Sequence, residues 1–307
     1  MAEKRRWGDR VDGRWIRELD GLHFVMPHLM NKRTDAEVFV NMEFDVTEAL
    51  SYIAKKNEGE EEYRATLFHC ILMAVAKTVY LRPDLNRFIA GRRYYQKNEI
   101  TLGFVAKKRF ADHSEESLMV IPAPMDWTLT EVTRRVVGKV HTARTSDNKG
   151  VNGAMDMLRI LPRPLMMFFM WIIRTLDFFG KVPAALREDD PNFASVFLTN
   201  LGSIKCPCVY HHLNNYGTNS IMVAVGTIRK AEKIAEDGTR EVRDVVDIGV
   251  TLDERIADGF YFASRSKSCS TCSRTPNCWI DPLRRKLTYE RSEKTVGGPY
   301  GRCAADA

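Results

Sequence analysis

A mixed α/β domain is predicted from three observations. Short runs rich in β-branched residues at 38–44, 195–200, 221–228 and 245–252 have strand character. Segments with helical apolar spacing lie among them, at 48–56, 65–80 and 130–140. The chain has 307 residues, 44% of them hydrophobic, which is enough to bury the core of one large domain.

The elements follow in order. Residues 1–30 set Trp15, Arg17, His23, Phe24 and Leu29 among charged positions and are expected to pack over the domain edge. Alternation through 38–44 reads as a strand, and residues 45–47 supply a helix start for 48–56. A polar, acidic loop at 57–62 precedes the helix at 65–80, which Pro83 stops. Runs at 88–89, 92–95, 100–107 and 118–121 fit antiparallel hairpins, with Gly91 at a turn. Helices are expected at 130–140 and 152–161. Residues 164–180 are apolar nearly all round, with only Arg174 and Asp177 charged, and are too short to span a bilayer. Burial in the domain or a contact with another subunit is expected there. Membrane-surface contact through 164–180, or a pocket for an apolar chain, is the less favoured alternative.

The net charge of +6 is concentrated at one end. Residues 265–307 carry nine Lys and Arg against four Asp and Glu, or +5, leaving +1 for the rest, so no nucleic-acid partner is expected. Residues 1–10 are charged and no apolar leader follows, so a cytoplasmic protein is expected. Of seven cysteines, Cys70 lies in an apolar helical pattern and is expected to be a core thiol. Cys206 and Cys208 are spaced too closely for a good metal site and are expected to be ordinary thiols. Cys269, Cys272 and Cys278 form at most a partial zinc pattern, and no metal site is expected. His211 and His212 lie between two strands as loop histidines or, alternatively, as a replacement base.

The most informative run is Asp253-Glu254-Arg255-Ile256-Ala257-Asp258-Gly259. It resembles the His-x-x-x-Asp-Gly signature of trimeric acyltransferases, the catalytic domain of the 2-oxoacid dehydrogenase dihydrolipoyl acyltransferases and chloramphenicol acetyltransferase, with Glu254 at the His position. Three further stretches resemble the same family in the same order. They are 38–53, the turn at 83–88 followed by 91–93, and Phe197-Leu198-Thr199-Asn200-Leu201-Gly202, similar to a Ser-Asn-Leu-Gly strand end. The resemblance spans roughly 15–263. It implies a two-layer chloramphenicol-acetyltransferase-like α/β fold with a mixed sheet, a homotrimer, and active sites between neighbouring subunits. Residues 1–264 are read as this domain. No lipoyl or peripheral-subunit-binding domain is recognised ahead of it, so a stand-alone enzyme is expected.

By the same resemblance, Glu254 and Thr199 are the candidate catalytic residues. Acyl transfer needs a base to deprotonate the acceptor and a donor for the oxyanion. Thr199 keeps the hydroxyl of the family Ser and adds a methyl that restricts its rotamer. Glu254 is a weak base toward a thiol unless burial raises its pKa, and its charge opposes a nearby oxyanion. The expected function is therefore CoA-dependent acyl transfer, with acyl-CoA as co-substrate and the acceptor unassigned. The alternative is a non-catalytic trimeric relative. Asp258, by resemblance, pairs with Arg17 of the Trp15-Ile16-Arg17 run to hold the site loop, and Gly259 permits a tight turn. Residues 265–307 lack the closing amphipathic helix that the family has. One permitted codon choice for 265–283, read in another frame, restores such a helix, so the tail is expected to be disordered and its frame shifted.

Overall fold

The computed structural model describes residues 5–60, 62–107, 116–145, 161–234, 238–257 and 261. The helix expected at 152–161 falls almost wholly outside them, as do the tail, Asp258 and Gly259.

The main sheet has six strands: β2 (Glu37–Asp45), β5 (Thr101–Lys107), β6 (Glu116–Pro122), β7 (Val196–Asn200), β8 (Ile221–Ile234) and β9 (Arg240–Asp253), in the order β2-β9-β8-β7-β5-β6. The β7 strand runs parallel to both β5 and β8 while the other pairs are antiparallel, so the sheet is mixed. A smaller sheet, β1-β4-β3, is built from β1 (Gly13–Trp15), β3 (Arg87–Ala90) and β4 (Arg93–Lys97).

One face of the main sheet is covered by helices. Alternate residues Leu102, Phe104, Val196, Leu198, Val223, Val225, Ile248 and Val250 share a single core with α2 (Thr47–Lys56), α3 (Leu67–Leu81) and α4 (Leu129–Thr145). Each large side chain fully buried there contributes about 1.5–3 kcal/mol. Thr66 and His69 form a capping box that starts α3, and Pro83 opens the turn that follows it. Cys70 is buried within this core, and burial pushes its thiol up to about 12.

The period-2 pattern places the remaining sheet residues, Asn41, Gly249, Ala224 and Thr199 in register with one another, on the opposite face. There the segment around Cys208 lies directly on the strands. A Cβ on Gly249 would sit 2.9 Å from the Cys208 Sγ and from the Val209 carbonyl oxygen, so only glycine admits this approach.

The structure extends several expected elements. The β8–β9 ladder runs past the apolar stretches to Ile234 and Arg240, and ion pairs line its polar end: Lys230 reaches Asp244 at 2.9 Å, and Arg229 bridges Asp247 and Glu43. The small strand β1 and the helix α1 (Gly21–Leu29) carry too short or too interrupted a pattern to be read beforehand. Asp20 caps α1 by accepting from the His23 N–H at 2.9 Å.

Burial of 164–180 within the domain is overturned. These residues form α5 (Arg163–Phe178), in which only Ile173 and Asp177 are buried. Met167 is 73% exposed, Trp171 61% and Phe168 54%. Among the described residues, no helix is long and apolar enough to cross a membrane.

Candidate active site

Thr199 sits one residue before the end of β7, on the sheet face away from the helices. Its Oγ1 is shielded from solvent and has no hydrogen-bond partner. A buried hydroxyl with nothing to bond normally costs about 1–3 kcal/mol, and this strand end therefore carries a donor with no partner in the single chain. Cys208 is its neighbour across Ala224, where the thiol donates to the Ala224 carbonyl oxygen at 3.4 Å. Burial raises the Cys208 pKa, which keeps it a thiol.

Glu254 opens a short 3₁₀ turn, Glu254–Ile256, at the end of β9. Its backbone N–H donates to the Ala36 carbonyl at 2.9 Å, while its side chain is exposed. The turn is held by a pair that sequence reasoning missed. Arg255 grips the Asp253 carboxylate with Nε at 2.7 Å and Nη2 at 2.6 Å, and its Nη1 donates to the Met30 carbonyl at 2.6 Å. Both side chains are nearly inaccessible, Arg255 at 2% and Asp253 at 0%. An acid and a base two residues apart inside the motif is the signal that was available. Nearby, Arg33 is buried, which lowers its pKa, and donates to the Ile89, Asn214 and Gly217 carbonyls.

Arg17 stacks on Trp15. Its guanidinium lies 4.5 Å from the Trp15 ring centroid and donates to the Trp7 carbonyl at 2.6 Å, on an exposed surface. The partner expected for Arg17, Asp258, is outside the described residues, and within them the turn is held by Arg255 and Asp253. Gly259 also lies outside them.

The histidine pair divides. His212 is tied by Nδ1 to Glu37 at 2.8 Å, as a satisfied loop residue. His211 is half-buried with its Nε2 unpartnered, and burial lowers its pKa.

Sheet register gives a measure of how far apart the two candidate residues lie within one chain. Thr199 pairs with Ala224 and Ala224 with Gly249, five residues before Glu254. Two strand spacings and five residues of rise separate them by roughly 19 Å. A cleft of ≈ 610 Å³ near Tyr80, Asn86, Ile100 and Arg135 lies at the start of β5, opposite the Thr199 end of the sheet, and contains neither residue.

The chain shares its fold with acyltransferase cores. A probable dihydrolipoamide acetyltransferase from Listeria monocytogenes superposes with a TM-score of 0.57 and 18% identity, over 84% of this chain and 94% of that one. The Azotobacter vinelandii dihydrolipoamide acetyltransferase, in which a serine, a histidine and an asparagine have been investigated in the catalytic mechanism, superposes at 0.57 with 15% identity, over 86% and 93%. Chloramphenicol acetyltransferase superposes at 0.50 with 13% identity, over 85% and 99%. No protein-family model and no curated protein matches the sequence. At these identities the likeness is one of fold, and the fold is chloramphenicol-acetyltransferase-like.

Proposed function

We propose that the protein is a CoA-dependent acyltransferase of the 2-oxoacid dehydrogenase acyltransferase type, acting in the cytoplasm as a homotrimer. The observation that carries this reading is the buried, unpartnered Thr199 hydroxyl at a strand end of this fold. In this reading Thr199 donates to the oxyanion of the tetrahedral intermediate. Glu254 of a neighbouring protomer accepts the proton of the acceptor thiol or hydroxyl. The roughly 19 Å between the two within a chain, estimated from strand geometry, makes this reading require a site shared between subunits.

The second reading, a non-catalytic trimeric relative, is favoured by one observation. The Glu254 side chain is exposed in the single chain, and an exposed carboxylate is a poor base toward a thiol. A base role for it needs a partner subunit to cover that side chain.

Release of free CoA from acetyl-CoA and longer acyl-CoAs by the purified protein tests the choice. Thr199→Ala is expected to lower turnover by about 10²–10³, as loss of an oxyanion donor does. Equal, slow release by wild type, Thr199→Ala and Glu254→Gln establishes the non-catalytic reading instead.

A further inference from the structure

We propose that α5 lays its outer face on an anionic phospholipid bilayer. Met167, Trp171, Arg174 and Phe178 recur at i, i+4, i+7 and i+11 and form one exposed stripe, with Phe168 beside it. Phe179, 66% exposed, continues the apolar surface past the helix end.

The opposite side of α5 is fastened to the domain. Ile173 and Asp177 are buried, and Arg10 donates to the Asp177 carbonyl at 2.6 Å and to its carboxylate at 3.2 Å. The Phe178 carbonyl oxygen lies 2.5 Å from where a Cβ on Gly91 would sit, and Gly91 has φ +57. The helix end is therefore seated on the β3–β4 turn and cannot roll its stripe inward without breaking these contacts.

Charge identifies the partner. Between 163 and 181 the exposed ionic side chains are Arg163, Arg174 and Lys181, and the one carboxylate, Asp177, is held inside by Arg10. The turn on which the helix end is seated carries exposed Arg92, and exposed Arg93 stacked on the Trp15 ring at 4.3 Å. Exposed carboxylates begin only at Glu188 and Asp189. Aromatic rings flanked by cations match an anionic lipid surface, where rings enter the headgroup boundary and each cation adds attraction. Packing of this face on the same face of a second copy would instead bring like charges together.

The test is flotation of the full chain with phosphatidylglycerol–phosphatidylcholine vesicles and with phosphatidylcholine vesicles, alongside sedimentation velocity. Wild type is expected to float with the anionic vesicles and not with the neutral ones. Trp171→Glu is expected to lower binding by about tenfold or more, and Arg174→Gln by roughly fivefold, the weight of one cation at such a surface. Both positions are exposed, so melting temperatures are expected to stay unchanged. Equal flotation of wild type and Trp171→Glu overturns the proposal, since the basic 265–307 segment then accounts for binding. No flotation, or a smaller oligomer for Trp171→Glu in place of lost flotation, also overturns it, the latter by making α5 a subunit contact. CoA release without vesicles reads the catalytic proposal separately and is expected to be the same for both variants.

Discussion

Replacing Arg255 with methionine is expected to cost about 4 kcal/mol of folding free energy, because it strands a carboxylate in the interior. Asp253 is fully inaccessible and takes two hydrogen bonds from the Arg255 fork, at 2.7 and 2.6 Å. Without the fork it keeps the Arg255 backbone N–H at 3.2 Å and the more distant charge of Arg33. Breaking a buried pair from one side costs about 3–5 kcal/mol, whereas removing both charges for apolar groups of similar size is often near neutral. At about 2–4 °C per kcal/mol for a domain of this size, the melting temperature should fall by roughly 8–16 °C. Urea unfolding at fixed protein concentration measures the loss, and Asp253→Leu alone and combined with Arg255→Met complete a cycle. The double variant is expected to lose about 2–3 kcal/mol less than the single losses together, with recovery kept partial because Arg33 then loses the carboxylate that acts on it most strongly. A loss under about 1 kcal/mol for Arg255→Met, or strict additivity, would refute the claim that this pair holds the turn.

Three further outcomes are expected. His69 is buried beside Thr133, and burial lowers its pKa to about 4. The unfolded chain therefore takes up the proton first, so stability present above about pH 6.5 declines by roughly 3 kcal/mol as pH falls to about 4, a slope that His69→Gln should flatten in acid unfolding. Gly249→Ala places a methyl against Cys208 and Val209 and is expected to cost about 1–3 kcal/mol while speeding Cys208 modification by a thiol reagent. Glu254→His, on the acyltransferase reading, is expected to raise CoA release above wild type at neutral pH, since imidazole titrates near the working range. Unchanged release would count against Glu254 facing the substrate.

Much of the fold was legible because its strands and helices bury one face each, which forces a regular apolar period. The β8 and β9 cores and the α3 helix read this way, and the strand end at Thr199 fell in its expected place. The small strand β1 and the helix α1 did not, since three residues carry no period and Pro27 interrupts the helical pattern. The role expected of Arg17 rests on a resemblance in three residues whose partner, Asp258, lies outside the described residues, and the guanidinium meets the face of Trp15 and the carbonyl of Trp7.

The sequence by itself determined the layer of core residues, the mixed α/β class and the two polar positions on which acyl transfer is proposed, because periodicity and residue chemistry are local properties. Which charges meet was decided only by tertiary structure. Arg255 turns inward onto Asp253 while Glu254 points out, Arg10 pins α5 by its inner edge, and the apolar stripe of α5 faces out from the domain. Partners far apart in the chain, or facing opposite ways in adjacent positions, are selected by packing and desolvation, and neither is written in the order of the residues.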